Sequence, residues 1–344
     1  IGLLPTHTDS QVFICGTFPK SFVIVLLFVD DGLCIYNDDK RYEKLMTDMK
    51  KKYTLKEELK PKDFLSLEIE YHDSYLKLHQ TGYVKQLLND FKMDNCNSVP
   101  TPITESLIKV ITETPSSLTK EPNTNDFPML TLCGRLLWLT RLSRFDICFV
   151  TNFLCRYMAV ANKLDKLLPI AKRVLRYLKG AENVGLIYPI MKRTDLTVSA
   201  AVDSDFAADT TKKSTYCRFT YLDRCLINFT TKLQKTVATS TCNAEFNGIA
   251  EALTDVIYYR ACVAELQGRF WPKELSPFAI NYPPCDCPRA LEMIKTASRT
   301  EPPPSIIMND SASALAALAK AGATSKGTKN EVAKQAFAQD AVEK

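Results

Sequence analysis

The chain has 344 residues, with 44 basic against 39 acidic side chains, a net charge of +5, 46% hydrophobic residues and 24% charged ones. That is ordinary for a globular protein with two or three cores, and the small basic excess permits a nucleic-acid partner without demanding one. No apolar run approaches the roughly 20 residues needed to span a bilayer, and no basic start leads into an apolar core, so no membrane partner and no secretion are expected.

In chain order, Gln11 to Cys15 forms a short strand-like run, followed by Phe22 to Tyr36, FVIVLLFVDDGLCIY. Eight apolar residues, Phe22 to Val29, run into Asp30 and Asp31 and then into Leu33 to Tyr36. The Val, Ile and Phe content and the shortness of the run predict a buried strand, with Asp30, Asp31 and Gly32 as the turn of a β-hairpin. Two carboxylates on a buried tip repel unless a hard cation such as Mg²⁺ joins them; the alternative is a plain Asp-Gly turn. Tyr42, Leu45, Met46, Met49 and Tyr53 recur at helical spacing, and Lys50, Lys51 and Lys52 close that helix against its dipole.

Phe64 to Leu78 predicts two strands around His72-Asp73-Ser74, and Tyr83 to Met93 a helix. Ser98 to Pro128 holds five prolines among many Thr and Ser residues and is expected to be a linker. Leu130 to Met158 is expected to be helical throughout, and Leu164 to Leu178 forms the next helix, with Pro169 marking a kink or the true start. Lys172, Arg176 and Lys179 fall on one face of it, either a stripe for a phosphate backbone or a solvated surface. Thr197 to Val202 predicts a strand ending in Asp203, and a helix runs from Ala244-Glu245-Phe246 to Val263. Twelve cysteines are scattered without a CxxC pair, the closest being Cys285 and Cys287 in a Pro-rich stretch; free thiols in a reducing compartment are expected. The chain begins at Ile1 rather than Met, as a piece of a longer polypeptide would.

Several motifs occur together and in one order. Phe28-Val29-Asp30-Asp31 resembles the aromatic-x-Asp-Asp signature of reverse transcriptases, and the chain as a whole is similar to the copia-type retrotransposon Pol polyprotein. Phe64 to Ile69 resembles that family's FLG strand, Gly82-Tyr83-Val84 to Met93 its GYI helix, Pro100-Thr101-Pro102 its exit loop, and Lys172 to Gly180 its KRILRYLKG helix. Asp203-Ser204-Asp205-Phe206-Ala207-Ala208-Asp209, Phe229 to Ala238, Ala244-Glu245-Phe246 and Asn309-Asp310-Ser311-Ala312 are similar to successive segments of its ribonuclease H domain.

The resemblance implies an α/β (α+β) chain in three parts. Residues 1–104 would be the C-terminal part of the reverse transcriptase, a truncated palm and thumb. Residues 105–195 would be a helical connection with a Pro/Thr-rich start, and 196–344 an RNase H-like mixed five-stranded sheet with flanking helices. It implies Asp30 and Asp31 as polymerase metal ligands, and Asp203, Glu245 and Asp310 as nuclease ligands for Mg²⁺, with Mn²⁺ as an alternative. Lys172, Arg176 and Lys179 would contact the nucleic-acid backbone. The implied partners are an RNA/DNA hybrid, a template-primer duplex, and upstream Pol regions (integrase and the N-terminal reverse transcriptase). The implied location is cytoplasm, virus-like particle or nucleus.

The departures from the family set further expectations. The polymerase needs a third Asp from an upstream strand, so no DNA synthesis is expected from this chain by itself. Val332 stands where a fourth nuclease carboxylate belongs, with Glu331 one residue away, about 100° round a helix, so hybrid cleavage is expected to be weak. Ser66, Cys217 and Ala208 replace glycines and Phe145 replaces a proline, and side chains at φ > 0 would strain such turns. Residues 269–305 carry eight prolines, as an insertion, a disordered loop or read-through sequence. The alternative function is a catalytically inactive nucleic-acid-binding remnant or a decayed copy.

Overall fold

The structure, a computed structural model, describes residues 2–114, 127–160, 163–191, 196–207, 211–268 and 305–311. Ala208, the Pro-rich stretch up to residue 304, and the 328–337 segment with Glu331 and Val332 lie outside the described residues.

The N-terminal sheet is an antiparallel meander of β1 (Leu4–Pro5), β2 (Val12–Thr17), β3 (Ser21–Phe28) and β4 (Asp31–Tyr36), in that spatial order. Alternation along β3 explains its unbroken apolar sequence. Phe22 and Ile24 join Ile14 on one face, while Val23 and Val25 meet Leu45 on the other. Leu45 belongs to α1 (Asp39–Lys50), whose N-cap Asp38 accepts a hydrogen bond from the Arg41 backbone N–H at 3.1 Å. Both faces of this strand are therefore covered, as the sequence suggested.

The hairpin tip differs from the expectation. Phe28 pairs with Asp31, so Val29 and Asp30 alone make the turn and Asp31 begins β4. The tip is also exposed, with Val29 at 86%, because β3 and β4 outrun the helix that covers them. Val29 takes φ +53°, the left-handed region that a β-branched residue adopts at a cost.

A second antiparallel sheet has the order β5 (Asp63–Phe64), β6 (Leu67–Tyr71), β7 (Tyr75–His79) and β8 (Gly185–Pro189). The chain leaves this sheet after β7, builds the helical layer, and returns to it with β8. The tight turn between β5 and β6 puts Leu65 at φ +51° and Ser66 at φ +65°, so the missing glycine does leave a side chain at a left-handed position.

The helices share one core. Val84, Leu87 and Leu88 of α2 (Thr81–Asp90) and Ile111 of α3 (Glu105–Thr112) pack with α4 (Met129–Leu142), α5 (Cys148–Tyr157) and α6 (Leu164–Gly180). Two expectations need correction. The linker contains α3, because Leu107, Ile108 and Ile111 form a helical stripe that docks on this core. The single helix from Leu130 to Met158 is broken at Ser143-Arg144, ahead of the 3-10 turn Phe145–Ile147. There the N–H groups of Ser143 and Arg144 both close on the Leu139 carbonyl at 3.2 and 3.1 Å, while the Ser143 hydroxyl donates to Gln80 Oε1 at 2.8 Å and buried Arg144 forks onto Asp146 at 3.0 and 2.7 Å. Pro169 lies inside α6, in its second turn.

The third sheet has the order β11 (Cys225–Leu233), β10 (Thr215–Leu222), β9 (Val198–Asp205) and β12 (Ile306–Met308), antiparallel except that β12 runs parallel to β9. Five mixed strands were expected, and four are present among the described residues. One face is covered by α7 (Thr241–Leu266), whose Ile249, Leu253 and Val256 pack on Val198, Ala200 and Val202. At its far end α7 docks on the N-terminal sheet: Glu265 accepts from the backbone N–H groups of His7 and Thr8 at 2.5 and 3.1 Å and from Thr8 Oγ1 at 2.9 Å, while Leu266 packs with Ile14 and Phe22. No helix among the described residues is long and apolar enough to cross a membrane.

Relieving the strained hairpin tip should stabilise the chain. Val29→Asn, a residue that tolerates the left-handed region, is expected to raise the unfolding free energy by about 1 kcal/mol. Urea denaturation at constant m-value checks it, and an unchanged or lower midpoint would show that the tip stores no such strain.

Candidate functional site

The carboxylates of Asp203, Glu245 and Asp310 each offer an oxygen within 4.8 Å of the others. Asp203 sits near the end of β9, Glu245 in the first turns of α7, and Asp310 just beyond β12, next to β9. Local bonds fix α7 relative to the sheet. Its N-cap Ser240 accepts from the Asn243 N–H at 3.1 Å, and the Ala244 carbonyl accepts from Ser204 Oγ at 3.1 Å and from Gln234 Nε2 at 2.8 Å. Gly248 allows the close approach: a Cβ there would lie 2.7 Å from Ser204 Oγ and 3.0 Å from Val202 Cγ2. Glu245, one turn earlier, is thereby carried against the sheet. Asn309 completes the joint by donating from Nδ2 to Glu245 Oε2 at 2.9 Å and to the Val202 carbonyl at 3.0 Å.

Glu245 is buried, while Asp203 and Asp310 are exposed. Burial raises the pKa of Glu245, and the neighbouring Asp203 and Asp310 charges add to that against the opposing Asn309 hydrogen bond. Asp205, two residues on from Asp203, is raised by burial and then by Asp203. No lysine or arginine forms an ion pair with any of the three among the described residues. An all-oxygen donor set with uncompensated negative charge fits a hard divalent cation, which would supply the missing positive charge.

The other sequence candidates lie elsewhere. Asp30 and Asp31 sit on the exposed hairpin tip, and no third acidic side chain joins them in a three-ligand cluster among the described residues. On α6, Lys172 is exposed, Arg176 Nε donates to the Asn97 carbonyl at 2.7 Å, and Lys179 pairs with Glu182 at 2.8 Å. Arg173 adds a bond to Thr101 Oγ1 at 2.8 Å, so much of this face clamps the 97–101 segment. Cys217 is not at a turn but in mid-strand, directly opposite Asp203. The sequence reading missed Asn309 as the bridge to Glu245. The available signal was a side-chain amide set immediately before the third carboxylate.

A reverse transcriptase (RNA-dependent DNA polymerase) family model matches residues 4–105, from β1 to the start of α3. The chain is 32% identical over 238 residues to an uncharacterized mitochondrial protein of Arabidopsis thaliana, covering 69% of this chain and 94% of that protein. It is 28% identical over 267 residues to the retrovirus-related Pol polyprotein from transposon TNT 1-94 of Nicotiana tabacum, covering 76% of this chain. It is 27% identical over 267 residues to that from transposon RE1 of Arabidopsis thaliana, covering 77% of this chain. Of those two polyproteins the matches span 20% and 17%. No solved structure matches. The chain thus falls in the reverse transcriptase class, and it belongs to the Pol polyprotein family of copia-type retrotransposons.

The raised pKa of Glu245 has a testable sign. The folded chain holds that proton more tightly than the unfolded chain, so wild-type stability falls as pH rises from the ordinary Glu range through the raised value. Denaturation curves across that range should show Glu245→Gln gaining on wild type with increasing pH, and millimolar Mg²⁺ should narrow the gap by binding the folded wild type. A difference independent of both pH and Mg²⁺ would contradict this electrostatic account.

Proposed function

We propose that this chain is part of a retrotransposon reverse transcriptase/ribonuclease H, and that its third sheet carries a metal-dependent site for cutting the RNA strand of an RNA/DNA hybrid. The convergence of Asp203, Glu245 and Asp310 from three separate elements is the observation that carries the reading. These residues would hold Mg²⁺, with Mn²⁺ as the alternative. A bound cation supplies an activated water and charge stabilisation for the leaving oxygen. The chain's own part is to present the carboxylates: Asn309 orients Glu245 between the Val202 carbonyl and the ligand cluster, and burial keeps water off that carboxylate.

RNA-directed DNA synthesis is proposed for the intact polyprotein, on the strength of the family match over residues 4–105. Asp30 and Asp31 would serve it together with a further carboxylate. Lys172 is the side chain of α6 best placed for a nucleic-acid backbone, because Arg176 and Lys179 already hold partners in the chain. A second reading is a nucleic-acid-binding chain without turnover. It is favoured by the left-handed backbone at Val29, Ser66 and Ala207, where a side chain costs stability.

Cleavage of a labelled RNA/DNA hybrid by the full chain, in Mg²⁺ and in Mn²⁺, tests the first reading. Metal-dependent cutting that drops at least about 100-fold in both Asp203→Asn and Glu245→Gln is expected. Salt-sensitive binding with no cutting in either metal would favour the second.

A further inference from the structure

Beside Asp203 the sheet holds a hollow of about 650 Å³, lined by Ala201, Cys217, Phe219 and Ile307 together with Asp203 and Asp310. We propose that this hollow is a stacking site for one nucleobase of the RNA strand, with Phe219 as its platform; the proposal rests on the nuclease reading above. Ala201, Phe219 and Phe229 lie opposite one another across β9, β10 and β11, and the adjacent same-face row is Asp203, Cys217 and Thr231. Phe219 is thus on the same face as Asp203, opposite the face that α7 covers. Two residues along a strand is about 7 Å, so the ring stands close to the carboxylates without occupying their ligand positions.

The chemistry of the lining selects the guest. Among the described residues no lysine or arginine lines the hollow, and two exposed carboxylates border it, so on these residues a phosphate is repelled while a flat neutral ring is accepted. Ala201 leaves the space that a larger side chain on β9 would fill. The Phe219 ring is also held in place. Phe145, the residue that stands where the family has proline, meets it nearly perpendicular at 6.0 Å and 85°, and meets Phe229 at 5.9 Å and 69°. An immobilised ring loses little freedom when a base stacks on it, and a base that swings out of the hybrid's stack has a face to offer. The RNA strand is selected because its phosphate is the one the neighbouring carboxylates would address through their cation.

The test mixes the full chain with an RNA/DNA hybrid carrying 2-aminopurine in the RNA strand, with Ca²⁺ replacing Mg²⁺ to hold off cleavage. Binding should quench the label. Phe219→Ala should abolish the quench and weaken binding about 5- to 100-fold, while Phe219→Tyr retains both. Ala201→Leu, which fills the hollow and leaves the ring in place, should also abolish the quench; it decides the matter if Phe219→Ala fails to fold. Wild-type quenching by a well-folded Phe219→Ala or by Ala201→Leu, or a response only when the label is in the DNA strand, overturns the stacking site. A wild-type chain that cuts the hybrid without quenching overturns the stacking site alone. One that neither binds nor cuts overturns the nuclease reading with it.

Discussion

The candidate site depends on how closely α7 can lie on β9. At Gly248 there is no room for a Cβ against the side chains of Ser204 and Val202, so the helix backbone lies directly on the side chains of the strand. That approach carries Glu245 into contact with Asn309 and within reach of Asp203 and Asp310. A helix standing farther off would expose Glu245 to water and lengthen its bond to Asn309, weakening the burial that raises its pKa. The same helix is long: its 26 residues run about 39 Å at 1.5 Å per residue. Its N-terminal end builds the carboxylate cluster, while Glu265 and Leu266 at the other end hold the N-terminal sheet. One rigid element therefore sets the distance between the two acidic centres that the sequence singles out.

Those two centres have opposite character. Around Asp203, Glu245 and Asp310 the fold spends burial and hydrogen bonds on holding negative charge together, a cost that stability alone does not explain. At Asp30 and Asp31 it does nothing of the kind: Asp30 in the turn and Asp31 at the start of β4 are both exposed, where water screens them. The strand that leads there is nonetheless well anchored, with both faces of β3 packed. The strand is firmly held while its acidic tip is bare, so the packing of β3 serves to position that tip and not to cover it.

Much of this was legible in the sequence. The run from Phe22 gave β3 because a strand packed on both faces needs no polar alternation, and the order Asp203, Glu245, Asp310 with their flanking motifs located the cluster. What escaped was set by tertiary contacts. Helix α3 hides among prolines and threonines, and its stripe acquires meaning only from the core it meets. Asp31 enters the strand because a two-residue turn pairs Phe28 with it, a register that an Asp-Asp-Gly string leaves open. Cys217 looked like a turn residue until its pairing with Asp203 placed it in mid-strand. Asn309 could be quoted as part of a motif, but its bond to Glu245 requires β12 to lie beside β9, a pairing between residues far apart in the chain.

The stripe on α6 reads as a phosphate track when the helix is considered alone, yet Arg173 and Arg176 bind the chain's own 97–101 segment and Lys179 binds Glu182. On α6 this leaves the exposed Lys172 as the cation of the stripe that could displace counterions from a nucleic acid. At the third sheet the proposed site would add the cation that the three carboxylates would hold and the neutral contacts of the sheet face. The geometry offers these side by side, acidic ligands in one row of the sheet and an aromatic surface in the next. Binding through those two elements alone would depend more steeply on the divalent ion than on monovalent salt, the reverse of a grip on the backbone by a basic groove.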